Sequence, residues 1–478
     1  NEKISQNKDE GLDPFQQKCI KLTKEFRECI PQACAPTSKY RSIDGCCNNL
    51  ENPSQGMPTT AFQRLLSSDY SDSVSLPRGG LTSSSLPSAR AVSVAVHQTH
   101  EETNHNDSLG LMVMQFGQFL DHDFTLTANQ NKRCCDQTVS GPDSEQPEDL
   151  QFCFNIDISN DEFYSGKRSC FPFTRSDATC TESGQREQFN MLTAFIDGSA
   201  VYGSDDVKAE KLRTKTGGLL RTHYLGPTLP SNRQTGFAEQ TRFPSERSEK
   251  LIAGDDRATE QPGLAGIHSL FVLEHNRIAN EFSEADPSLT DEEVYQTARS
   301  LVGAQIQNIA YTEFLPAVLG PAAMGFYNLS LPTEGTTVYN SSINPNVFNE
   351  VATFAFRFGH SLIPNFFKPA AQPLDTMNDI CPLKDNFFKV EEFVVGKDFS
   401  GQAWQNLLLG ISSAKSPPLD AKLSKHISNF LFCGSNCDFT FGFGQDLAAR
   451  NIQRGRDHGL PGYIKYREMC SLTIPASW

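Results

Sequence analysis

The stretch Met112 to Thr127, MVMQFGQFLDHDFTLT, constrains this chain more than any other. Val113, Phe116, Phe119, Leu120 and Phe124 recur at helical spacing, so the segment is expected to bury an apolar face. Gln118, Asp121 and His122 stand at i, i+3 and i+4 and share one face of the same helix. Asp123 follows directly and points about 100° away, given ~3.6 residues per turn, so one helix can serve two sites. Taken alone, Asp-His-Asp reads more readily as a satisfied core histidine between surface carboxylates, because such triplets are weak signals.

Length and composition narrow the classes. At 478 residues the size suggests several domains, yet no Gly/Ser-rich or Pro-rich linker separates two hydrophobic blocks. The expected organisation is a Cys-containing arm over 1–40 and one large domain over 41–478. A net charge of −15 with scattered Lys and Arg argues against nucleic acid or an anionic membrane as partner. No run of eighteen apolar residues is present, so no span is expected, and the start at Asn1 without an apolar signal core suggests a processed chain. Fourteen cysteines are too many for an ordinary enzyme of a reducing compartment, and their spacing fits no zinc module. An oxidising location, extracellular or in a secretory granule, follows. Structural disulfides are therefore expected, also for Cys433 and Cys437 in CGSNC. The adjacent pairs Cys46-Cys47 and Cys134-Cys135 should bond outward, since a vicinal bridge is strained. Sequons at Asn106, Asn328 and Asn340 are compatible with secretion and glycosylation.

Ser67 to Arg90 is rich in Ser, Gly and Pro and reads as a loop, and Ala128 to Cys180 as an irregular disulfide-bonded excursion. Helical periodicity is strong later. Leu264, Ile267, Phe271, Ile278 and Phe282 follow Pro262, a good first-turn residue. Thr290 with Glu293 forms a capping-box pattern ahead of Val294, Ala298, Leu301, Val302 and Ile309. A third helix is expected from about Asn346 through Val351, Phe354, Ala355 and Phe358, stopped by Pro364. No array of alternating strands occurs, so the fold class is mainly α, a disulfide-stapled helical domain with little β structure.

Four more stretches accompany QFLDHDF: TAFIDGSAVYG from Thr193, AGDDRATE from Ala253, FAFRFGH from Phe354 and NIQRGRDHGLPGY from Asn451. Together, in order from about Arg41 to about Cys470, they resemble the animal haem peroxidase family of myeloperoxidase, peroxidasin and the peroxinectins. The resemblance implies a large helical domain enclosing haem. It makes His360 the proximal iron ligand, Arg357 at i−3 the partner of a propionate, and Asn451 the acceptor that fixes the ligand ring's tautomer. On the other side, peroxide cleavage needs a base to carry a proton between the two oxygens and a cation to stabilise developing charge. His122 matches the base, Arg257 its charge partner, and Gln118 the residue that hydrogen-bonds water or halide. Asp121 and Glu260 match the carboxylates that become esters to haem methyl groups. His268, His275 and His458 also match family positions and are expected in core hydrogen bonds.

Asp123, Thr193, Phe195, Asp197 and Ser199 offer the hard oxygen donors that calcium favours, backbone carbonyls included. The resemblance places a calcium ion there. Two departures stand out. Thr125 occupies a position where many mammalian members carry a carboxylate. Gln261 follows Glu260 where myeloperoxidase has a methionine, so no sulfur link to haem is available; the weaker oxidant then favours bromide, iodide, thiocyanate or phenols over chloride.

The expected function is a secreted haem peroxidase that uses hydrogen peroxide to oxidise small electron donors, tyrosine and other phenols among them. A fatty-acid oxygenase of the cyclooxygenase type needs a tyrosine three residues before the proximal histidine, where this chain has Arg357. A haem-free matrix or adhesion protein would not need His122, Arg257 and His360, and no RGD or KGD tripeptide is present.

Overall fold

The computed structural model describes residues 34, 39–80, 85–99, 105–106, 108–129, 134–135, 152–164, 168–181, 184–222, 251–332, 338–370, 381–390, 403–433 and 444–475. Most of the expected arm, and Cys437, lie outside these residues.

Helices α1 (Ala89–Val96) and α2 (Leu111–Phe124) open the body. The α2 helix ends three residues before the expected boundary, because Thr125 turns to extended backbone at φ −145° and ψ 130°. Its inward face holds Leu111, Met114, Phe116, Phe119 and Leu120, all buried. The long helix α3 (Pro262–Ala285) has Pro262 in its first turn, as expected, and Gln261 as its N-cap. Helix α4 (Asp291–Ile309) carries the complete capping box: Thr290 takes the Glu293 N–H, and the Glu293 side chain returns to the Thr290 N–H. A π-helical turn, Ala310–Phe314, joins it to α5 (Leu315–Phe326).

The core sits where α3 meets α2, α4 and α7 (Ala403–Ser413). Phe119 is fully buried, and its ring stacks on Phe271 at 4.9 Å. Burying such a ring stabilises by about 1.5–3 kcal/mol. Gly266 admits the helix α7 closely, since a Cβ there would lie 3.2 Å from the Leu408 side chain.

The third expected helix differs in the structure. Gln63 pairs with Val347 and Asn349 through the backbone, so the chain is extended there and α6 runs only over Asn349–Thr353. At Phe354 the backbone breaks to φ −140°, and Ala355–Leu362 continues as a 3-10 helix. The cause is local. The Arg357 guanidinium donates back to the carbonyls of Thr353 (2.8 Å) and Ala352 (3.2 Å), while the Arg357 N–H bonds Phe354 O at 3.0 Å, the tighter spacing. His360 therefore stands in a 3-10 segment rather than an α-helix.

Besides isolated bridges, the described β structure is three antiparallel two-stranded ladders: β1 (Ile156–Asp157) with β2 (Cys170–Phe171), β3 (Ala178–Cys180) with β4 (Arg186–Gln188), and β5 (Phe366–Phe367) with β6 (Cys381–Pro382). The first belongs to the expected irregular excursion, which has a core of its own. Ile156, Ile158, Tyr164, Phe171 and Phe173 bury Ala89 of α1 and Ala449 of α8 (Leu447–Asp457). Cys134–Cys153 and Cys135–Cys170 hold it, and Cys34–Cys47 ties residue 34 to the body. Adjacent cysteines thus bond outward. Cys46, Cys180 and Cys433 are also disulfide-bonded, while Cys381 and Cys470 are free. Among the described residues no helix is long and apolar enough to cross a membrane.

Candidate active site

Helix α2, the 3-10 segment and α8 enclose a cavity of ≈ 340 Å³. One wall carries Gln118, Asp121 and His122 from α2, with Arg257 and Glu260 from the turn before α3. Another carries Arg357, Gly359 and His360 from the 3-10 segment, with Arg450, Asn451 and Arg454 from α8. All eight residues expected around a haem therefore meet in one space. Asp121 and Arg257 keep 27% and 24% of their side-chain surface open, although protein surrounds both charged groups. That open surface faces the cavity.

Local sequence explains how each side chain is aimed. The α2 helix puts Gln118, Asp121 and His122 on the cavity side because its apolar stripe is committed to α3. Gly117 lets the Phe314 ring close the space behind them, at 3.1 Å from where a Cβ would stand. Arg257 is held by Asp255, which accepts from Nε at 2.9 Å, from Nη2 at 2.8 Å and from the backbone N–H at 2.8 Å; Nη2 also donates to Thr125 O at 2.9 Å. Asp255 is buried, which opposes ionisation, but Arg257 overrides this and holds the carboxyl far below its usual range. Sequence reasoning passed over Asp255. The available signal was an acidic residue two positions before an arginine that had to be buried.

The histidines are neutral for related reasons. Burial, followed by the charge of Arg257, holds His122 well below the usual imidazole range. Its Nδ1 has no hydrogen-bond partner, with Asp255 Oδ1 3.9 Å away. Burial and then Arg357 push His360 down to about 3, against a hydrogen bond to the Asn451 side chain. A neutral ring that donates one N–H to Asn451 keeps a lone pair on its other nitrogen. Of the remaining family-matched histidines, His275 bonds Tyr202 Oη and Gly218 O, each at 2.9 Å. His458 bonds Ser176, Thr353 and Asn349 at 2.7–2.9 Å. His268 departs from the expectation: its ring packs edge-on against Phe119 at 5.0 Å, neither nitrogen is in hydrogen-bonding geometry, and the Ala200 backbone acts on it only as a near dipole.

The polar lining fits a flat, anionic, covalently attachable ligand such as haem. Arg357 and Arg450 are buried guanidiniums with only neutral hydrogen-bond partners, and Arg450 is pushed down to about 10 by burial and by Arg454 and Arg357. Unbalanced buried cations call for an anion, the role a propionate fills. Arg450 and Arg454 were not foreseen, although their i, i+4 spacing puts them on one face. Among the described residues the carboxyls of Asp121 and Glu260 have no hydrogen-bond partner, and Arg257 Nη1 stands 3.9 Å from Asp121. No Cβ contact would arise at Gly359 within 4 Å, so the wall beside His360 is open.

The second cluster lies on the other side of α2. Asp123 is fully buried and accepts from the backbone of Asp197 (3.1 Å), Gly198 (3.2 Å) and Ala200 (2.9 Å), while Ser199 Oγ donates to its carbonyl. Thr193 Oγ1 donates to Asp197 at 2.9 Å, and Phe195 lies between them in the loop. Burial raises both carboxyls, and Asp197 raises Asp123 further. Two buried acids in contact with hydroxyl oxygens suit a hard cation.

The sequence profile of the animal haem peroxidase family matches residues 40–478, and the chain belongs to that family. It is 36% identical over 493 residues to a peroxidasin homologue of Caenorhabditis elegans, pxn-2, covering 95% of this chain and 35% of the relative. To mouse myeloperoxidase it is 37% identical over 467 residues, covering 93% and 62%. The chain thus spans between about a third and two thirds of these relatives. Peroxidase A from Dictyostelium discoideum superposes with a TM-score of 0.74 at 28% identity, covering 92% of this chain and 80% of that one. A fatty acid alpha-dioxygenase of Oryza sativa shares the fold at a TM-score of 0.69 and 20% identity, covering 97% and 74%.

The Glu260 carboxyl gives a pH test of this electrostatic layout. Burial raises it from 4.5 to about 7, against the pull of Arg257. A raised acid contributes stability in full below its unfolded value of 4.5, and loses it as pH rises through about 7. In the haem-free protein, where Glu260 is a free carboxyl, Glu260→Gln should therefore flatten the pH dependence of stability across that window. Denaturant unfolding of both proteins at a series of pH values checks this; an unchanged slope would refute it.

Proposed function

We propose that this chain, with residues 41–478 as the catalytic domain and 1–40 as an arm, is a secreted haem peroxidase. Hydrogen peroxide oxidises small donors: tyrosine and other phenols, bromide, iodide or thiocyanate. The observation that carries the proposal is the convergence of neutral His122, cationic Arg257 and neutral His360 on one cavity lined by uncompensated guanidiniums. Haem, when bound, supplies an iron that peroxide oxidises by two electrons and small donors reduce.

The protein's own residues do the rest. His360 Nε2 or Nδ1, whichever does not donate to Asn451, is the iron ligand, and that hydrogen bond fixes the ring and strengthens its donor. Arg357, with Arg450 and Arg454, holds the propionates. His122 is kept uncharged and can take a proton from peroxide and return it to the leaving oxygen. Arg257, locked by Asp255, offers a fixed positive charge that needs no reorganisation during the reaction. Gln118 binds water or an anion beside them. Disulfides and the sequons at Asn106, Asn328 and Asn340 support an extracellular or granule location. The shared fold of the dioxygenases does not favour oxygenase chemistry, because Arg357 stands three residues before His360.

The two histidines separate by experiment. His360→Ala should lose the haem spectrum with turnover, whereas His122→Leu should retain haem and slow the reaction with peroxide by ~10²–10⁴-fold, the usual worth of a general acid–base. Normal haem content and turnover in His360→Ala would sink the assignment.

Calcium is proposed at Asp123, Thr193, Phe195, Asp197 and Ser199. Asp197→Ala, or exhaustive chelation, should lower both bound calcium and the unfolding temperature, since an ion that binds only the folded state stabilises it. Native protein free of calcium by metal analysis would defeat this.

The carboxyls of Asp121 and Glu260, which line the cavity, are proposed to form esters to haem methyl groups. After peroxide treatment, acid-acetone should leave haem on the protein, with mass analysis locating it on peptides containing these residues. Haem that extracts freely excludes the esters.

A further inference from the structure

Gln261 stands between Gln118 and the N-terminus of α3, and its hydrogen bonds have a fixed direction. The Gly263 backbone N–H can only donate, and it donates to Gln261 Oε1 at 2.7 Å. The other end of that amide is therefore Nε2, which donates to Gln115 Oε1 at 2.7 Å and to Gln118 Oε1 at 2.9 Å. Gln118 Oε1 is thus engaged, and its Nε2 makes no hydrogen bond to protein although the residue lines the cavity. Gln115 and Gln261 are buried, so no water competes for these bonds. Gly263 is part of the arrangement, because a Cβ there would collide with Gln115 Oε1 and stand 3.1 Å from Gln261 Oε1.

From this we infer that Gln261 is a positioning residue which sets the polarity of the cavity: it passes the orientation of the α3 N-terminus through two amides, so that Gln118 presents an N–H donor and not a carbonyl. A single backbone N–H thereby decides that this corner accepts anions or oxygen lone pairs. Side chains that lack either half of the Gln261 amide cannot do this. Leucine leaves Gln118 free to present either end. Glutamate still caps α3 but can no longer donate, so Gln115 and Gln118 turn their amide nitrogens toward it and Gln118 faces the cavity with oxygen.

The inference rests on the peroxidase reading, and the experiment separates the two. Bromide is titrated spectroscopically into the resting haem-loaded enzyme, without turnover, for wild type, Gln118→Leu, Gln261→Leu and Gln261→Glu. Loss of the charge-assisted donor in Gln118→Leu should raise the bromide dissociation constant about tenfold or more. Gln261→Leu, a neutral change, should raise it about three- to tenfold through lost orientation, and Gln261→Glu should raise it further. In bromide-soaked crystals, anomalous density should contact the Gln118 amide in wild type and be lost in Gln261→Glu. If Gln118→Leu weakens bromide while Gln261→Leu stays within about twofold of wild type, the orienting role is wrong and the peroxidase reading stands. An unchanged constant in Gln118→Leu also overturns the inference. A wild-type protein that takes up no haem would overturn both.

Discussion

The pairing of Arg257 with Asp255 is the interaction on which the remaining site depends. A buried guanidinium is stabilised by a carboxylate, and for Arg257 Asp255 supplies both of its oxygens and also accepts from the Arg257 N–H. Removing one partner of such a buried pair typically destabilises by about 3–5 kcal/mol, because the other charge is left uncompensated. The pair does more than stabilise. Its arginine adds to burial in keeping His122 neutral, favours ionisation of Asp121 and Glu260 by less than burial opposes it, and so lets several acids and bases share one small space. Without that charge the burial of two further carboxyls on the same wall would be offset only by the weaker pull of Arg357.

How much of this was legible in the sequence depended on how local the cause was. The starts of α3 and α4 were readable, since Pro262 and the Thr290–Glu293 box act within one turn of themselves. The two-sided use of α2 was readable too, because helical geometry alone separates Asp123 from His122. The 3-10 segment that carries His360 was not. Its cause is a side chain, Arg357, folding back on two carbonyls, and periodicity contains no record of that bond. The start of α6 failed for a different reason: Gln63, far away in the chain, claims the backbone of Val347 and Asn349.

The site shows the same division. Motif matches named groups that line the cavity, whereas the groups behind them went unremarked. Asp255 lay within a quoted motif, and Gln261 was noted only as lacking sulfur. Both matter through bonds to a neighbour and not through their own chemistry, which is why residue type alone undervalued them. Arg450 and Arg454 were hidden similarly: an arginine on an amphipathic helix reads as solvated, and only the small core of Ile156, Tyr164, Phe171 and Phe173 turns that face of α8 inward.

Fold and chemistry separate cleanly in this architecture. The alpha-dioxygenase match covers 97% of the chain at 20% identity, so the helical frame itself does not select a reaction. Selection must come from side chains the frame holds in place, and Arg357 shows how. At three residues before His360 it cannot serve as a phenol that carries a radical. Instead it keeps its charge in a buried setting and breaks α6 into the 3-10 turn that presents His360 to the cavity. A substitution at this position therefore changes the charge facing the cavity and the backbone hydrogen bonds ahead of His360 together.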